Sequence, residues 1–342
     1  MQMIKNKNVV LFCALFLLCA FGMFSKEPSW ITMPSKEYPS SEYLTGLGYG
    51  QTEEQAEISA IESLASVFGQ NITSSSTATR RMAQVQGNVK TFTGSDAQFS
   101  QEIQRKVSIE NLIGVRIAER YFDGKRHHAL AVMNKREAST MLGSTIINNN
   151  ARIESLLKYD SDDEFSFSTY AQLDLARETA VVNDTLLKRL DVVDSQKAAE
   201  LRPQCKSAAS IKKRMAEIAK QIPIYIEIEG DSSGKQVKQA FAKMVSSSGF
   251  KTSDLANERY CITGTVSFSK REPKSGQTVQ CVYTFDGRLR DTLLEENLLP
   301  ISIQGREGSI DMDDAMLRAY RALEAKINTT VAPAFTNFLN SL

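Results

Sequence analysis

Tyr43-Leu44-Thr45-Gly46-Leu47-Gly48-Tyr49-Gly50-Gln51-Thr52-Glu53-Glu54-Gln55-Ala56 holds a change of period from two to nearly four, and the first unit of the fold follows from it. Up to Gly50 the pattern is that of a strand, and its glycines leave room for a neighbouring element to approach closely. Thr52 then has the chemistry of a helix N-cap, with Gln55 in the capping-box position. Ala56, Ala60, Leu64 and Val67 recur at spacings of four, four and three, which puts one apolar stripe against a sheet. Glycines between a strand and a helix also invite a nucleotide-binding reading, but Gly46-x-Gly48-x-Gly50 lacks the dinucleotide spacing. The helix opens with Glu53 and Glu54, where a phosphate would have to sit. Close backbone packing is the reading that remains.

Downstream, the Ser/Thr-rich run 72–79 and the glycine-containing stretch 84–97 read as a mobile loop, and strand signals return in 102–110. Ile113, Val115 and Ile117 alternate with small or polar residues, and Asp123-Gly124 makes a hairpin turn into His128–Met133. One early helix on a largely antiparallel sheet is an α+β unit. Upstream, a Pro- and Ser-rich lead from Pro28 to Ser41 carries Trp30, the only tryptophan of the chain. Before it, Lys5 and Lys7 precede an uncharged apolar run from Val9 to Phe24, the pattern of a secretion signal. The run is short for a membrane span, which needs roughly 20 residues. Ala20 and Gly22 place a cut after Gly22, so residues 1–22 are expected to be a signal peptide, with an uncleaved anchor or lipidation of Cys19 as alternatives. Leu18 is bulkier than the residue lipoprotein processing takes before its cysteine.

From Lys135 to about Gln221 the period is helical. Leu142, Ile146, Ile153 and Leu157 mark one helix, Leu173, Ala176, Ala180, Leu187 and Leu190 a second, and Ala208, Ile211, Met215, Ile218 and Ile222 a third. The last unit opens with the alternating strand Ile224–Glu229, a helix through Val237, Phe241, Met244 and Val245, and Gly249 as its C-terminal cap. Strands at about 259–268, 278–288 and 298–304 follow, and then a helix from about Asp311 that Pro333 ends or kinks. The chain is therefore expected to be α+β: two α+β sandwich units, with antiparallel-rich sheets and helices on one face, joined by a helical connector. The boundaries are 28–140, 141–221 and 222–342.

Loss of the signal leaves 39 basic residues against 40 acidic, a balance that gives no reason to expect nucleic acid. His127 and His128 are the only histidines; as strand neighbours they face opposite sides and cannot readily share a metal. No Gly-x-Ser-x-Gly elbow is present. The acidic runs Asp160–Glu164 and Asp311–Asp314 read as a solvated turn and as helix N-terminal acids, and neither has the pattern of a calcium loop. Cys205, Cys261 and Cys281 are too few for a disulfide scaffold. Cys261 is expected on the polar side of its strand and Cys281 on the apolar side, so they do not pair. The sequence assigns no catalytic residue, no cofactor-binding residue and no metal ligand, and calls for no cofactor.

Trp30, the strand Tyr43–Gly48, the helix opening at Thr52, Glu54 and Ala56, and the strand ending His128–Met133 together resemble the LPP-twenty-like bacterial lipoprotein family over about residues 28–140. That resemblance implies an envelope location and an α+β domain without known catalytic residues; similar domains occur in a flagellar T-ring protein. The Ile224–Glu229 strand, the helix to Gly249-Phe250 and Tyr260–Val266 look like the domain shared by the curli-secretion lipoprotein and the penicillin-binding-protein activator lipoproteins. The long amphipathic hairpins of a secretion barrel are missing from this chain. The expectation is an exported, periplasmic or outer-membrane-associated, non-catalytic scaffold or adaptor. Its expected partners are envelope proteins, with peptidoglycan or outer-membrane assembly components as further candidates; the membrane is met at most peripherally, and a homo-oligomer stays open. An enzyme acting on cell-wall polymer and a small-ligand-binding module are the alternatives.

Overall fold

The computed structural model describes residues 27–68, 112–231, 234–271 and 278–342. The signal segment, the loop 72–79 and 84–97, the strand expected at 102–110 and residues 272–277 lie outside them. In chain order the elements are α1 (Ser29–Thr32), β1 (Tyr43–Gly50), α2 (Glu53–Ser66), β2 (Val115–Phe122), β3 (His127–Asn134), α3 (Lys135–Leu156), α4 (Phe167–Val193), α5 (Ser195–Leu201) and α6 (Ala208–Ala219). They continue with β4 (Pro223–Glu229), α7 (Gln236–Ser247), β5 (Lys251–Ser253), β6 (Tyr260–Arg271), β7 (Val279–Asp291), β8 (Glu296–Ser309), α8 (Met312–Lys326) and α9 (Ala332–Ser341). The architecture is α+β with two sheets. Among the described residues, one compact unit takes 27–68, 112–144 and 186–200, and the other takes the rest. The helical stretch is divided between them.

In the first unit β3 lies between β1 and β2, antiparallel to both, with Gly46 opposite Ala131 and Gly48 opposite Ala129. Helix α2 starts where its caps dictate: Thr52 Oγ1 accepts from the Gln55 amide at 3.2 Å, and Gln55 Oε1 reaches back to the Gln51 amide at 3.0 Å. Its stripe of Ala56, Ala60 and Leu64 is fully buried against the sheet. The glycines of β1 make the approach possible. A Cβ on Gly46 would lie 2.7 Å from Leu64 Cβ, and one on Gly48 would lie 2.6 Å from Ala60 Cα. The other face of the sheet is covered by what the sequence reading took for a lead: Trp30, 3% exposed, packs with Leu130 and Val132. Burial of an indole outweighs the polar composition of its flanks. Tyr38 Oη donates to Glu119 at 2.8 Å and Lys135 Nζ to the Ser40 carbonyl at 2.8 Å, so the lead is tied down at its far end as well.

In the second unit the sheet order is β5-β4-β6-β7-β8; β4 runs parallel to β5 and β6, and β6, β7 and β8 are successively antiparallel. The parallel pairing follows from the α7 crossover. That helix ends in a Schellman turn. Gly249 has φ +88°, the Phe250 amide donates to Val245 O at 3.2 Å, and the Gly249 amide to Ser246 O at 3.0 Å. Phe241, Phe285, Leu323, Phe335 and the stripe Ile153, Leu173, Ala176, Ala180 belong to a single core. Pro333 neither ends nor breaks the last helix. A π-turn at Ile327–Val331 separates α8 from α9, and the proline sits in the first turn of α9. The expected solvated turn at Asp160–Glu164 is instead pinned: Asp163 Oδ1 accepts from Arg259 at 2.6 Å and Glu164 pairs with Arg214. These bonds join segments far apart in sequence, and local composition does not encode them.

Because backbone atoms of α2 fill the space over β1, no side chain fits there. Gly48→Val is expected to cost about 3 kcal/mol or more, at or above the usual range for overpacking, read as a fall in the urea midpoint of unfolding by circular dichroism. Gly124→Ala, with nothing within 4 Å of the added carbon, pays only for its φ of +90° and should cost about 1 kcal/mol.

Candidate functional site

The groups that drew attention as possible chemistry sit mostly at the hairpin end of the first sheet. His128, on the central strand, has Tyr49 of β1 and Tyr121 of β2 as its cross-strand neighbours, with ring centroids at 6.3 and 6.2 Å. Asp123, first residue of the turn, closes it three ways. Its Oδ1 accepts from the Lys125 and Arg126 amides at 2.7 Å each, and its Oδ2 lies 2.9 Å from His128 Nε2. Hydrogen bonding to His128, and then to the two amides, holds the Asp123 carboxyl well below the ordinary carboxylate range. The Arg126 guanidinium sits over the Tyr49 ring at 5.6 Å. His127 points to the helix side, its ring 4.7 Å from that of Phe122.

A carboxylate on Nε2 fixes a histidine for relay chemistry, provided a hydroxyl or thiol sits on the other nitrogen. Among the described residues Nδ1 of His128 is buried and has no hydrogen-bond partner. With its bonds to the two turn amides and to His128, Asp123 clamps the turn. No three His, Cys, Asp or Glu side chains among the described residues converge as metal ligands. Exposed rings frame the clamp: Tyr49 is 56% exposed on one face and Phe122 53% exposed on the other.

The remaining groups have structural partners. Asp311 caps α8 by accepting from the Asp314 amide at 2.8 Å, and Asp314 pairs with Arg318, as expected of helix N-terminal acids. Cys261 and Cys281 are free thiols: the register sets Cys261 opposite Arg290 and Cys281 opposite Lys270, far apart along the pair. Cys261 is nonetheless 5% exposed, where the strand pattern predicted the polar side. Tyr225 and Arg290 flank it in the register, and its Sγ lies 3.4 Å from the Glu258 carbonyl. Burial raises the pKa of both thiols, which removes nucleophilic character.

Sequence reasoning missed a groove of about 480 Å³ on the face of the second sheet opposite its helices. Gly264 and Gly287, paired across β6 and β7, form its floor, and Glu227, Glu229, Asp286 and Arg288 rise around it. The Phe285 ring lies across the glycine pair on the core side, within 2.6 Å of where a Cβ on Gly264 would stand. Asp286 accepts from Ser302 Oγ at 2.7 Å. Two glycines 23 residues apart that face one another across β6 and β7 were the available signal, and it needs the register to be seen.

The clamp has a definite pH signature. A carboxyl held below its unfolded value of about 3.8 contributes stability in full above that value and loses it as the pH falls below. Asp123→Asn should lower the thermal midpoint at neutral pH, and the gap from the unsubstituted chain should begin to narrow at about pH 3.8 and keep narrowing as the pH falls further.

Residues 28–134 match the model of the LPP20 lipoprotein family. No curated protein matches the chain. Among solved structures, the secreted protein HP1454 of Helicobacter pylori is 11% identical, with 84% of this chain and 98% of that one covered at a TM-score of 0.40. A minor lipoprotein of Acinetobacter baumannii is 9% identical, with 35% and 91% covered at a TM-score of 0.25. The span that matches the LPP20 lipoprotein family model takes in Trp30, the glycine strand with its helix, and the clamped hairpin.

Proposed function

We propose that this chain is an exported, non-catalytic protein of the cell envelope that acts as a scaffold or adaptor, periplasmic or associated with the outer membrane. The observation that carries the reading is the clamped hairpin. The His–Asp pair that could have served catalysis is used to fix a turn, beside which Phe122 of β2 and Tyr49 of β1 stand exposed on opposite faces. Rigid aromatic side chains contribute large contact area at low entropic cost, which is why they concentrate at binding hot spots. The lipoprotein-family match and the charged-then-apolar N-terminus support an envelope location. A photo-cross-linking residue at position 49 or 122, in cells, should yield a discrete adduct with an envelope protein, and the adduct should be lost when Asp123→Ala loosens the turn. A chain that stays monomeric without adducts at either position rules the reading out.

The groove on the second sheet favours a second reading, a small-ligand module. Three carboxylates and one guanidinium around a glycine floor fit a small polyol or cationic ligand. A rise in thermal midpoint on adding such ligands, abolished by Asp286→Asn at the groove's rim, is the expected result. No shift across a panel of sugars, muropeptides and polyamines would leave the adaptor reading alone.

A further inference from the structure

Among the described residues the second sheet has two edges, β5 and β8, and they differ. β5 is three residues long, too short to template another strand, whereas β8 runs for fourteen. A long unpaired edge offers a row of amides and carbonyls to any extended chain, including a second copy of the same edge. The residues of β8 whose backbone groups face outward can be read from the register. Gln304 and Gly308 have carbonyls that bond to side chains rather than to β7, so the even-numbered positions from 300 to 308 point to the edge. Each end of that row is obstructed. Lys326, in the last turn of α8, donates Nζ to the Gln304 carbonyl at 2.5 Å while lying over the Tyr283 ring at 5.6 Å. Arg318, two turns earlier on the same helix, reaches the Gly308 carbonyl at 3.4 Å and is steadied by Asp314 at 2.9 Å. Pro300 stands at an outward position and has no amide to offer.

We propose that the cationic face of α8 seals the β8 edge against strand addition by a second copy of this chain. An incoming strand would lie about 4.8 Å from β8, in the space that these two side chains cross to reach their carbonyls. Lys326 and Arg318 therefore satisfy the acceptors and occupy the site at once, while Pro300 removes a donor at the other end. Among the described residues the sheet ends at β8, and self-assembly through that edge is blocked.

The test removes the seal in the purified chain. Lys326→Gln with Arg318→Gln should produce concentration-dependent self-association by sedimentation velocity, at least about tenfold tighter than that of the unsubstituted chain. Adding Gln304→Pro should return it to the starting level, because the Gln304 amide serves only an incoming strand. Lys326→Arg should stay sealed. A folded double variant whose mass does not change over about a hundredfold range of concentration overturns the proposal. So does association that survives Gln304→Pro. If circular dichroism shows the double variant unfolded, Lys326→Gln alone, which leaves the Asp314–Arg318 pair intact, is judged by the same two outcomes.

Discussion

Contact between the backbone of α2 and the backbone of β1 sets the geometry of the whole first unit. Dispersion attraction falls off steeply with distance, so a helix that rides directly on a strand gains contacts that a normal side-chain layer would prevent. The arrangement needs glycine on the strand and alanine on the helix at matched intervals, and Gly46 and Gly48 facing Ala60 and Leu64 supply them. Once α2 is seated, its partner strand has one face left to bury, and among the described residues the N-terminal segment covers it. The position of Trp30 follows from the glycines at one remove.

The second unit depends on a different constraint, a buried charge that has to be matched. Asp291 is almost wholly inside, and an unpaired carboxylate there would be costly. Arg259 Nε meets it at 2.9 Å and the same guanidinium reaches Asp163, while Asp291 Oδ1 takes the Leu293 and Leu294 amides of the β7–β8 turn. One residue thereby fixes a hairpin tip, the start of β6 and the approach to α4. Tyr260, next to Arg259, stacks on Phe167 at 3.8 Å and accepts the first free amide of α4 at 3.1 Å. Burial pushes its phenol up to about 12, so it is neutral and available for that role throughout the physiological range.

What was legible in the sequence was local. Thr52 with Gln55, Gly249 and Asp311 each act within one turn of chain, and each stands where its chemistry places it. The alternation of β6 and β7 also gave the opposite facing of Cys261 and Cys281. Strand parity did not reveal that Cys261 is buried all the same, because that depends on Tyr225 and Arg290 from neighbouring strands. The paired acids at Asp163 and Glu164 look like any polar turn until their arginine partners, some 50 to 96 residues away, are known. The candidate site divides along the same line: the turn was legible in Asp123-Gly124, whereas the clamp on His128 and its flanking rings appear only with the register.

The docking of Trp30 also bears on how the chain reports on itself. It is the sole indole of the protein, and it lies against Leu130 and Val132 inside the first unit. Intrinsic emission excited at the red edge of protein absorbance therefore comes from that unit alone, while the ten tyrosines include Tyr260, Tyr283 and Tyr320 buried in the core of the other. Tryptophan emission thus follows the melting of the first unit by itself, whereas a tyrosine signal, to which Tyr38, Tyr49 and Tyr121 also contribute, reports on both units.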